Sequence, residues 1–163
     1  MSAEFQPGPA LEILLEHKVR FVLIGGLAAR MHGSPSVTDD LDICYARDRR
    51  NLERLSDALV EMRSRLRGAG PDVPFLLDAA TLEAGDHFTF DTTAGALDIL
   101  GTPVGTDGFD QLNANAVDMR LDFMTVRVAC LEDLIRMKRA AGRPKDRVEL
   151  EILGALRDEI EGR

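Results

Sequence analysis

The sequence predicts a mixed α/β (α+β) fold, in which helices pack on a small mixed β-sheet. Short apolar runs bounded by turn residues indicate buried strands, and longer segments with apolar residues at helical spacing indicate amphipathic helices. These segments follow one another as helix–strand–helix–strand–helix, then strands, then two helices, as in a layered sheet-and-helix architecture. With 163 residues and 45% hydrophobic content, the chain is long enough for one domain with its own core.

Helices and strands alternate in the first half of the chain. Leu11, Leu14 and Leu15 recur at helical spacing and predict the first helix. An apolar run that stops at Gly25 predicts a buried strand, and an Ala-rich segment that stops at Gly33 predicts a short helix. We therefore predict helices over residues 9–18, 27–32 and 51–67, and strands over residues 21–24 and 41–45.

The second half predicts several short strands followed by two helices. A loop rich in Gly, Pro and Thr over residues 101–108 separates the middle strands from the last one. The predicted strands cover residues 75–78, 87–90, 94–100 and 125–130, and the predicted helices cover residues 131–140 and 145–161. We expect one domain over residues 1–163, with a loose N-terminus over residues 1–8 and a helical C-terminal part over residues 131–163.

Composition limits the possible functions. A net charge of −8 argues against broad, non-specific nucleic-acid binding, which needs a cationic face. Neither a signal peptide nor an apolar stretch long enough to span a membrane is visible, so we expect a cytoplasmic protein without membrane contact. The cysteines, Cys44 and Cys130, lie in apolar runs and are predicted to be buried, reduced thiols. A local run of cations contains Arg136, Lys138, Arg139, Arg143, Lys145 and Arg147.

Gly25 and Gly26 join a predicted strand to a predicted helix. Because glycine has no Cβ, the backbone N–H groups of such a turn can approach a ligand closely. Backbone N–H groups at the start of a helix favour phosphate. We therefore predict a phosphate-binding turn at Gly25 and Gly26, although such a pair can also form an ordinary turn.

Asp40 and Asp42 flank Leu41 at the start of the second predicted strand. Side chains two residues apart on a strand point to the same face, so the two carboxylates are expected to lie side by side. A divalent cation relieves both their repulsion and the cost of their desolvation, and Mg²⁺ prefers such a pair together with substrate phosphate oxygens. An acidic turn in contact with solvent is the alternative.

A third carboxylate is predicted within the apolar strand over residues 94–100. Asp98 needs a partner there, and it completes a three-carboxylate metal centre if its strand neighbours the one that carries Asp42. Asp91 competes for this role, although its flanking threonines indicate a turn.

The stretch over residues 21–43, FVLIGGLAARMHGSPSVTDDLDI, resembles the signature of the DNA polymerase β-like nucleotidyltransferases. It is most similar to the AbiEii-type toxin branch and related minimal nucleotidyltransferases. The resemblance implies a nucleotidyltransferase fold in which Asp40, Asp42 and Asp98 are catalytic and hold Mg²⁺ or Mn²⁺. It also implies that Gly25 and Gly26, together with the loop residues Ser34 and Thr38, bind the nucleotide.

The segment over residues 131–146, LEDLIRMKRAAGRPKD, is similar to the closing motif of the same branch. By this resemblance Lys138 contacts the triphosphate, and Lys145 and Asp146 support the nucleotide site. Ser36 departs from the pattern, because many relatives carry an Arg between the Pro and the Thr of that loop.

The resemblance implies an enzyme that moves a nucleoside monophosphate from a nucleoside triphosphate to an acceptor. The acceptor implied is a tRNA, a protein or a small molecule, and a cognate antitoxin is a further expected partner. An acidic protein favours a small or protein acceptor over tRNA. A catalytically inactive binding module with the same fold, antitoxin-like or regulatory, is the alternative.

Overall fold

In the computed structural model, which describes residues 5–70, 72 and 74–162, a seven-stranded mixed sheet lies at the centre of the protein. Its strand order is β3-β4-β5-β2-β1-β7-β6. β1 and β2 are central because their residues are apolar, and all four residues of β1 are buried. The strands are β1 Phe21–Ile24, β2 Leu41–Tyr45, β3 Arg65–Leu66, β4 His87–Thr92, β5 Gly95–Leu100, β6 Val117–Leu121 and β7 Met124–Val128.

Parallel and antiparallel pairs alternate around the two central strands. β2 pairs antiparallel with β1 and parallel with β5, while β1 also pairs parallel with β7. The outer pairs β3–β4, β4–β5 and β6–β7 are antiparallel. The antiparallel β1–β2 pair is therefore flanked by β5, which is parallel to β2, and by β7, which is parallel to β1.

Helices cover this sheet and complete the core. Leucines dominate the fully buried positions, as expected where an amphipathic helix meets a sheet. α2 contacts β1 and β2, and α6 contacts both α2 and α7. The helices of the described residues are α1 Gly8–Glu16, α2 Gly25–Met31, α3 Arg49–Glu61, α4 Ala79–Ala84, α5 Phe109–Asn115, α6 Leu131–Ala141 and α7 Asp146–Ile160.

The predicted mixed α/β architecture is confirmed, but several elements differ from expectation. The helix predicted over residues 51–67 ends at Glu61, because Arg63 adopts a left-handed backbone with φ of 49°. The Met62 carbonyl accepts a hydrogen bond from the Thr93 N–H at 2.9 Å, and the chain then continues into edge strand β3. The loose terminus predicted over residues 1–8 lies partly outside the described residues, and α1 already begins at Gly8.

The strand predicted over residues 75–78 is wrong. Phe75 lies outside the sheet with its ring 6.1 Å from those of Phe88 and Phe90, and Leu76 is exposed. Asp78 instead caps α4 by accepting a hydrogen bond from the Thr81 N–H at 2.8 Å. Phe75 therefore packs over the face of β4, and the run does not form a strand.

Two further elements, α5 and β6, lie in a stretch for which the sequence predicted no regular structure. β6 is an edge strand whose residues are mostly exposed, so its sequence lacks the apolar run typical of a buried strand. The prediction of a buried Cys130 is also wrong. Cys130 is half-buried and its Sγ caps α6 by accepting from the Asp133 N–H, whereas Cys44 is buried and its pKa is raised by burial to about 12.

No helix among the described residues combines the length and the apolar character needed to cross a bilayer.

Asn51 is a buried polar residue that holds the start of β1 against the end of β2. Its Oδ1 accepts from the Arg20 N–H at 2.7 Å, and its Nδ2 donates to the carbonyls of Arg20 and Ala46. Replacing Asn51 by Ala leaves the Arg20 N–H and the Ala46 carbonyl without this partner. We expect the free energy of unfolding to fall by about 2–3 kcal/mol.

Urea denaturation followed by circular dichroism measures this loss. The matched control is Asn115→Ala, since Asn115 is exposed at the end of α5. Equal stability of the two variants would contradict the bridging role of Asn51.

Candidate active site

Strand register brings two of the predicted carboxylates together. Asp42 on β2 lies opposite Ile24 on β1 and opposite Asp98 on β5. Because β2 and β5 run parallel and are in register at this position, the two aspartates are direct neighbours across the sheet. Ile24 is the last residue of β1, so the turn at Gly25 begins next to the Asp42 side chain.

Gly25 and Gly26 allow two side chains to lie directly against the backbone of the turn. A Cβ at Gly25 would lie 2.1 Å from Asp42 Oδ2, and Gly25 has φ of +74°. A Cβ at Gly26 would lie 2.7 Å from Thr38 Oγ1. Both distances are far below van der Waals contact, so a side chain at either position would displace Asp42 or Thr38. The turn thus forms one wall against which Asp42 and Thr38 pack.

These residues border an open cleft of about 510 Å³ between the central strands of the sheet and the C-terminal helices. The predicted site residues that line it are Gly25, Gly26, Thr38, Asp40, Asp42, Asp98, Lys138, Lys145 and Asp146. An apolar part of the lining comes from Val37, Leu100, Pro103, Val104, Leu134 and Met137. Sequence motifs as distant as Gly25 and Asp146 therefore share one cleft, with acidic, cationic and apolar portions.

Asp42 is the most electrostatically perturbed carboxyl of the cleft. Its burial, followed by the negative charges of Asp98 and Asp40, raises the pKa of Asp42 to about 7. A hydrogen bond between the Asp42 and Asp98 carboxyls acts in the same direction, and the positive charge of Lys138 opposes it. A perturbed carboxyl in a cleft is typical of a functional site.

Asp98 has a cationic partner that the sequence did not indicate. Arg67, directly after β3, donates from Nη2 to Asp98 Oδ1 at 3.0 Å and from Nε to Asp91 Oδ1 at 3.2 Å. The expectation of a turn at Asp91 is wrong, because Asp91 lies within β4 and pairs with Ala96. Asp91 is exposed on the far side of Arg67, and it is Asp98 that lines the cleft.

The cationic wall is organised around a buried carboxylate. Asp146 is 1% exposed and accepts hydrogen bonds from Arg143 Nε at 2.8 Å and from Lys138 Nζ at 3.4 Å. Burial acts to raise the pKa of Asp146, but the hydrogen bonds from Arg143 and the charge of Lys138 outweigh it and lower that pKa. The carboxylate therefore stays charged and fixes Lys138 at the cleft, while Lys145 is exposed at its rim.

The loop between α2 and β2 is held by the last helix. Ser34 is buried, and its hydroxyl donates to Glu149 Oε1 at 3.2 Å. The Ser36 hydroxyl donates a hydrogen bond to Glu149 Oε2. Glu149 was not predicted, because a single Glu on an amphipathic helix gives no local signal of so distant a contact. These bonds connect the loop that carries Thr38 to α7.

The carboxylates fit a divalent cation in part. Within residues 5–70, 72 and 74–162, no three His, Cys, Asp or Glu side chains are arranged to share one metal ion. Asp42, however, is crowded by Asp40 and Asp98, and a cation relieves that crowding. The oxygen-only donors suit Mg²⁺ or Mn²⁺. The three-carboxylate centre and the roles of the site residues stay predictions.

Solved structures share this fold at low sequence identity. Lincosamide antibiotic adenylyltransferase LnuA, bound to lincomycin, superposes with a TM-score of 0.60 at 13% identity, covering 91% of this chain and 94% of LnuA. A proposed nucleotidyltransferase from Thermotoga maritima gives a TM-score of 0.57 at 17% identity, covering 98% and 97%. The antibiotic-resistance factor ANT(2'')-Ia gives 0.55 at 15% identity, covering 96% and 89%.

No family model and no curated protein matches the sequence. The structural likeness is nevertheless spread over nearly the whole length of each chain. The fold is therefore that of nucleotidyltransferases, as the sequence predicted.

Gly25→Ala tests the contact between the turn and Asp42. The new Cβ would clash with Asp42 Oδ2, and the backbone would also be strained by its positive φ. Gly68→Ala is a matched control, because Gly68 has φ of +80° with nothing within 4 Å of the new Cβ. We expect Gly25→Ala to lower the Tm more than Gly68→Ala does, because only the first adds a clash with Asp42 to the strained backbone. Equal responses in the two variants would contradict a specific role for the contact.

The raised pKa of Asp42 predicts a pH dependence of stability. Because the folded pKa of about 7 exceeds the ordinary value of 3.8, the folded state holds the proton more tightly, and stability falls as pH rises from about 4 to about 7. Asp42→Asn replaces the ionisable carboxyl with a neutral amide, so the variant carries no buried negative charge at this position at any pH. We therefore expect this variant to melt above the wild type at pH 8, by at least the 2–4 °C that about 1 kcal/mol causes.

Differential scanning calorimetry in chelator at pH 4.5 and pH 8 measures this difference. Asp110→Asn is the control, since Asp110 is exposed on α5. If the difference in Tm between Asp42→Asn and the wild type is the same at both pH values, the raised pKa of Asp42 is contradicted.

Proposed function

We propose that this protein transfers a nucleoside monophosphate from a nucleoside triphosphate to an acceptor hydroxyl, with release of pyrophosphate. The observation that carries the proposal is the position of Asp42. Its carboxylate packs on the Gly25 turn, lies in register with Asp98, and faces a wall that carries Lys138. Acidic and cationic groups are thus presented to one cleft, as the binding of a metal–triphosphate complex requires.

The triphosphate is assigned to the side of the cleft between the glycine turn and α6. Gly25 and Gly26 begin α2, and the first N–H groups of a helix have no partner within it, so they can donate to phosphate oxygens. Lys138 supplies positive charge from the opposite wall, fixed there by Asp146. Lys145 at the rim and Thr38 beside Gly26 extend this subsite.

Asp40 and Asp42, completed by Asp98, would hold Mg²⁺ or Mn²⁺. When bound, the ion supplies charge neutralisation at the phosphoryl oxygens and lowers the pKa of a coordinated hydroxyl. The chain's own contribution is to keep the carboxylates adjacent and to hold the nucleotide against them. Pre-organised charge of this kind stabilises the transition state without reorganisation during the reaction.

The reaction forms a bond between the acceptor oxygen and the α-phosphorus and breaks the bond from that phosphorus to the bridging oxygen. The acceptor hydroxyl loses its proton, and we assign the role of proton acceptor to Asp98. The pyrophosphate leaves towards Lys138. Asp98 is the neighbour of Asp42 across the β2–β5 pair, and Lys138 lines the same cleft, which supports these roles.

A small-molecule acceptor is favoured. The acidic protein offers a polyanionic tRNA little attraction, and the apolar part of the cleft suits a compact organic molecule. Of the solved structures with this fold, one is a lincosamide antibiotic adenylyltransferase bound to lincomycin and another is an antibiotic-resistance factor, which supports the same class of acceptor. A tRNA or protein acceptor, membership of the AbiEii-type branch and a cognate antitoxin stay predictions of the sequence resemblance.

Transfer is tested with each of the four α-³²P-labelled ribonucleoside triphosphates, Mg²⁺ and a panel of hydroxyl-bearing small molecules, including lincosamides and aminoglycosides. We expect label to move from triphosphate to one acceptor class in the wild type. Asp42→Asn and Asp98→Asn should lower the rate by at least about 10³-fold, since each removes a charge needed in the transition state. Asp110→Asn is again the control and should react as the wild type does.

The same samples distinguish an enzyme from the alternative, a catalytically inactive binding module. A rise in Tm with Mg²⁺ and triphosphate but no transfer to small molecules, protein or tRNA would favour the module. Transfer that persists in Asp42→Asn would contradict the proposed site.

A further inference from the structure

Strand β6 forms one edge of the sheet. Among residues 5–70, 72 and 74–162, β7 is the one strand that pairs with it. Its register with β7 is continuous, so β6 contains no bulge, and its sequence contains no proline. Bulges and prolines are devices by which edge strands avoid pairing with another chain, so this edge is open to such pairing.

The hairpin turn between β6 and β7 determines which backbone groups of β6 point outwards. Asp122 and Phe123 form a two-residue turn, and Asp122 has φ of 54°, as the turns favoured in such hairpins require. The residues that flank such a turn exchange hydrogen bonds, and hydrogen-bonded and non-hydrogen-bonded pairs then alternate along the two strands. The backbone N–H and C=O groups of Asp118 and Arg120 therefore point away from β7.

These outward groups can meet those of a second copy in three antiparallel alignments around a two-fold axis. Asp118 faces the Asp118 of the second copy in one alignment, and Arg120 faces the Arg120 of the second copy in another. The third alignment, centred on Met119, places each Asp118 opposite the Arg120 of the other copy. Like charges directly opposite on paired strands are unfavourable and opposite charges are favourable, so the sequence of β6 selects the third alignment.

The apolar face of β6 matches in the same alignment. Met119 and Leu121 are partly buried against the core, whereas Val117, on the same face of the strand, is exposed. Centring the pair on Met119 places each Val117 opposite the Leu121 of the other copy and brings the two Met119 side chains together. The alignment that pairs the charges therefore also gives exposed Val117 an apolar partner.

We propose that β6 is a self-complementary interaction surface, to which a second copy of this chain adds its own β6 in antiparallel orientation with Met119 on the two-fold axis. The sheets of the two copies then join into one continuous sheet. Asp118 and Arg120 exchange backbone hydrogen bonds with Arg120 and Asp118 of the other copy, and their side chains form two symmetric ion pairs. This association does not depend on the proposed transfer reaction.

The test is sedimentation velocity of the wild type and of charge variants over a concentration series at low ionic strength. We expect the wild type to form a dimer as its concentration rises. Asp118→Arg and Arg120→Asp should each weaken the dimer about tenfold or more, because each replaces two attractive contacts with two repulsive ones. An equimolar mixture of the two variants should form a heterodimer, since every arginine at these positions then faces an aspartate of the other chain.

Met119→Cys tests the alignment itself. Facing residues of a non-hydrogen-bonded antiparallel pair have Cα atoms about 4.5 Å apart, which a disulfide can span. We therefore expect oxidation to give a disulfide-linked dimer of this variant on a non-reducing gel. Thr125→Cys is the matched control, because Thr125 is exposed on β7 opposite Arg120 and lies one strand away from the axis. It should give no more cross-linked dimer than the wild type.

Two further charge reversals control for the change in net charge. Asp57→Arg and Arg50→Asp make the same exchanges at exposed positions of α3 and should dimerise as the wild type does. Asp118→Asn is measured in parallel, because Arg127 Nη1 lies 3.4 Å from Asp118 Oδ1 in the same chain and a reversal at Asp118 also affects that pair. This neutral variant should weaken the dimer less than the reversal does, and melting curves establish that each variant is folded.

Three results would overturn the inference. The first is a wild type that stays monomeric at every concentration. The second is dimerisation of Arg120→Asp and Asp118→Asn that equals that of the α3 controls. The third is a failure of Met119→Cys to cross-link beyond the level of Thr125→Cys, since the copies would then associate through another surface or in another alignment.

Discussion

The contact of the Asp42 carboxylate with the backbone of Gly25 is the constraint on which the site depends. A Cβ at Gly25 would lie 2.1 Å from Asp42 Oδ2, so the glycine is required by its neighbour across the β1–β2 pair. Gly25 also begins α2, and the first N–H groups of a helix have no partner within it. The packing of Asp42 on Gly25 therefore links the acidic strand to the glycine turn.

Crowded negative charge follows from this arrangement. β2 and β5 are parallel and in register, so Asp42 and Asp98 lie side by side. Asp40, the residue before β2, adds a further negative charge near Asp42. The repulsion and burial together raise the pKa of Asp42 to about 7, and Asp98 is paired with Arg67. Lys138 is oriented by Asp146 on the facing helices. The cleft is therefore divided into a negative side and a positive side by strand register and by helix packing.

Local chemistry made this part of the site predictable from sequence. The glycine turn, the alternation of Asp40 and Asp42 around Leu41, and the apolar strand around Asp98 are each visible within a few residues. The fold class followed from the order of apolar segments, and β1 and β2 were predicted with their observed bounds. Edge strand β6 and helix α5 were missed, because an exposed edge strand and a short helix carry weak periodicity.

Long-range partners could not be predicted in the same way. Arg67 was assigned to a helix whose periodicity continues beyond its true end, and only the left-handed turn at Arg63 brings it beside β4 and Asp98. Glu149 meets Ser34 across 115 positions of sequence, and nothing local to either residue marks the pair. A carboxylate or guanidinium leaves the same local pattern whether it faces solvent or a distant partner. The carboxylates of the site are therefore readable from their own strands, whereas the groups that neutralise and position them are determined by the tertiary fold.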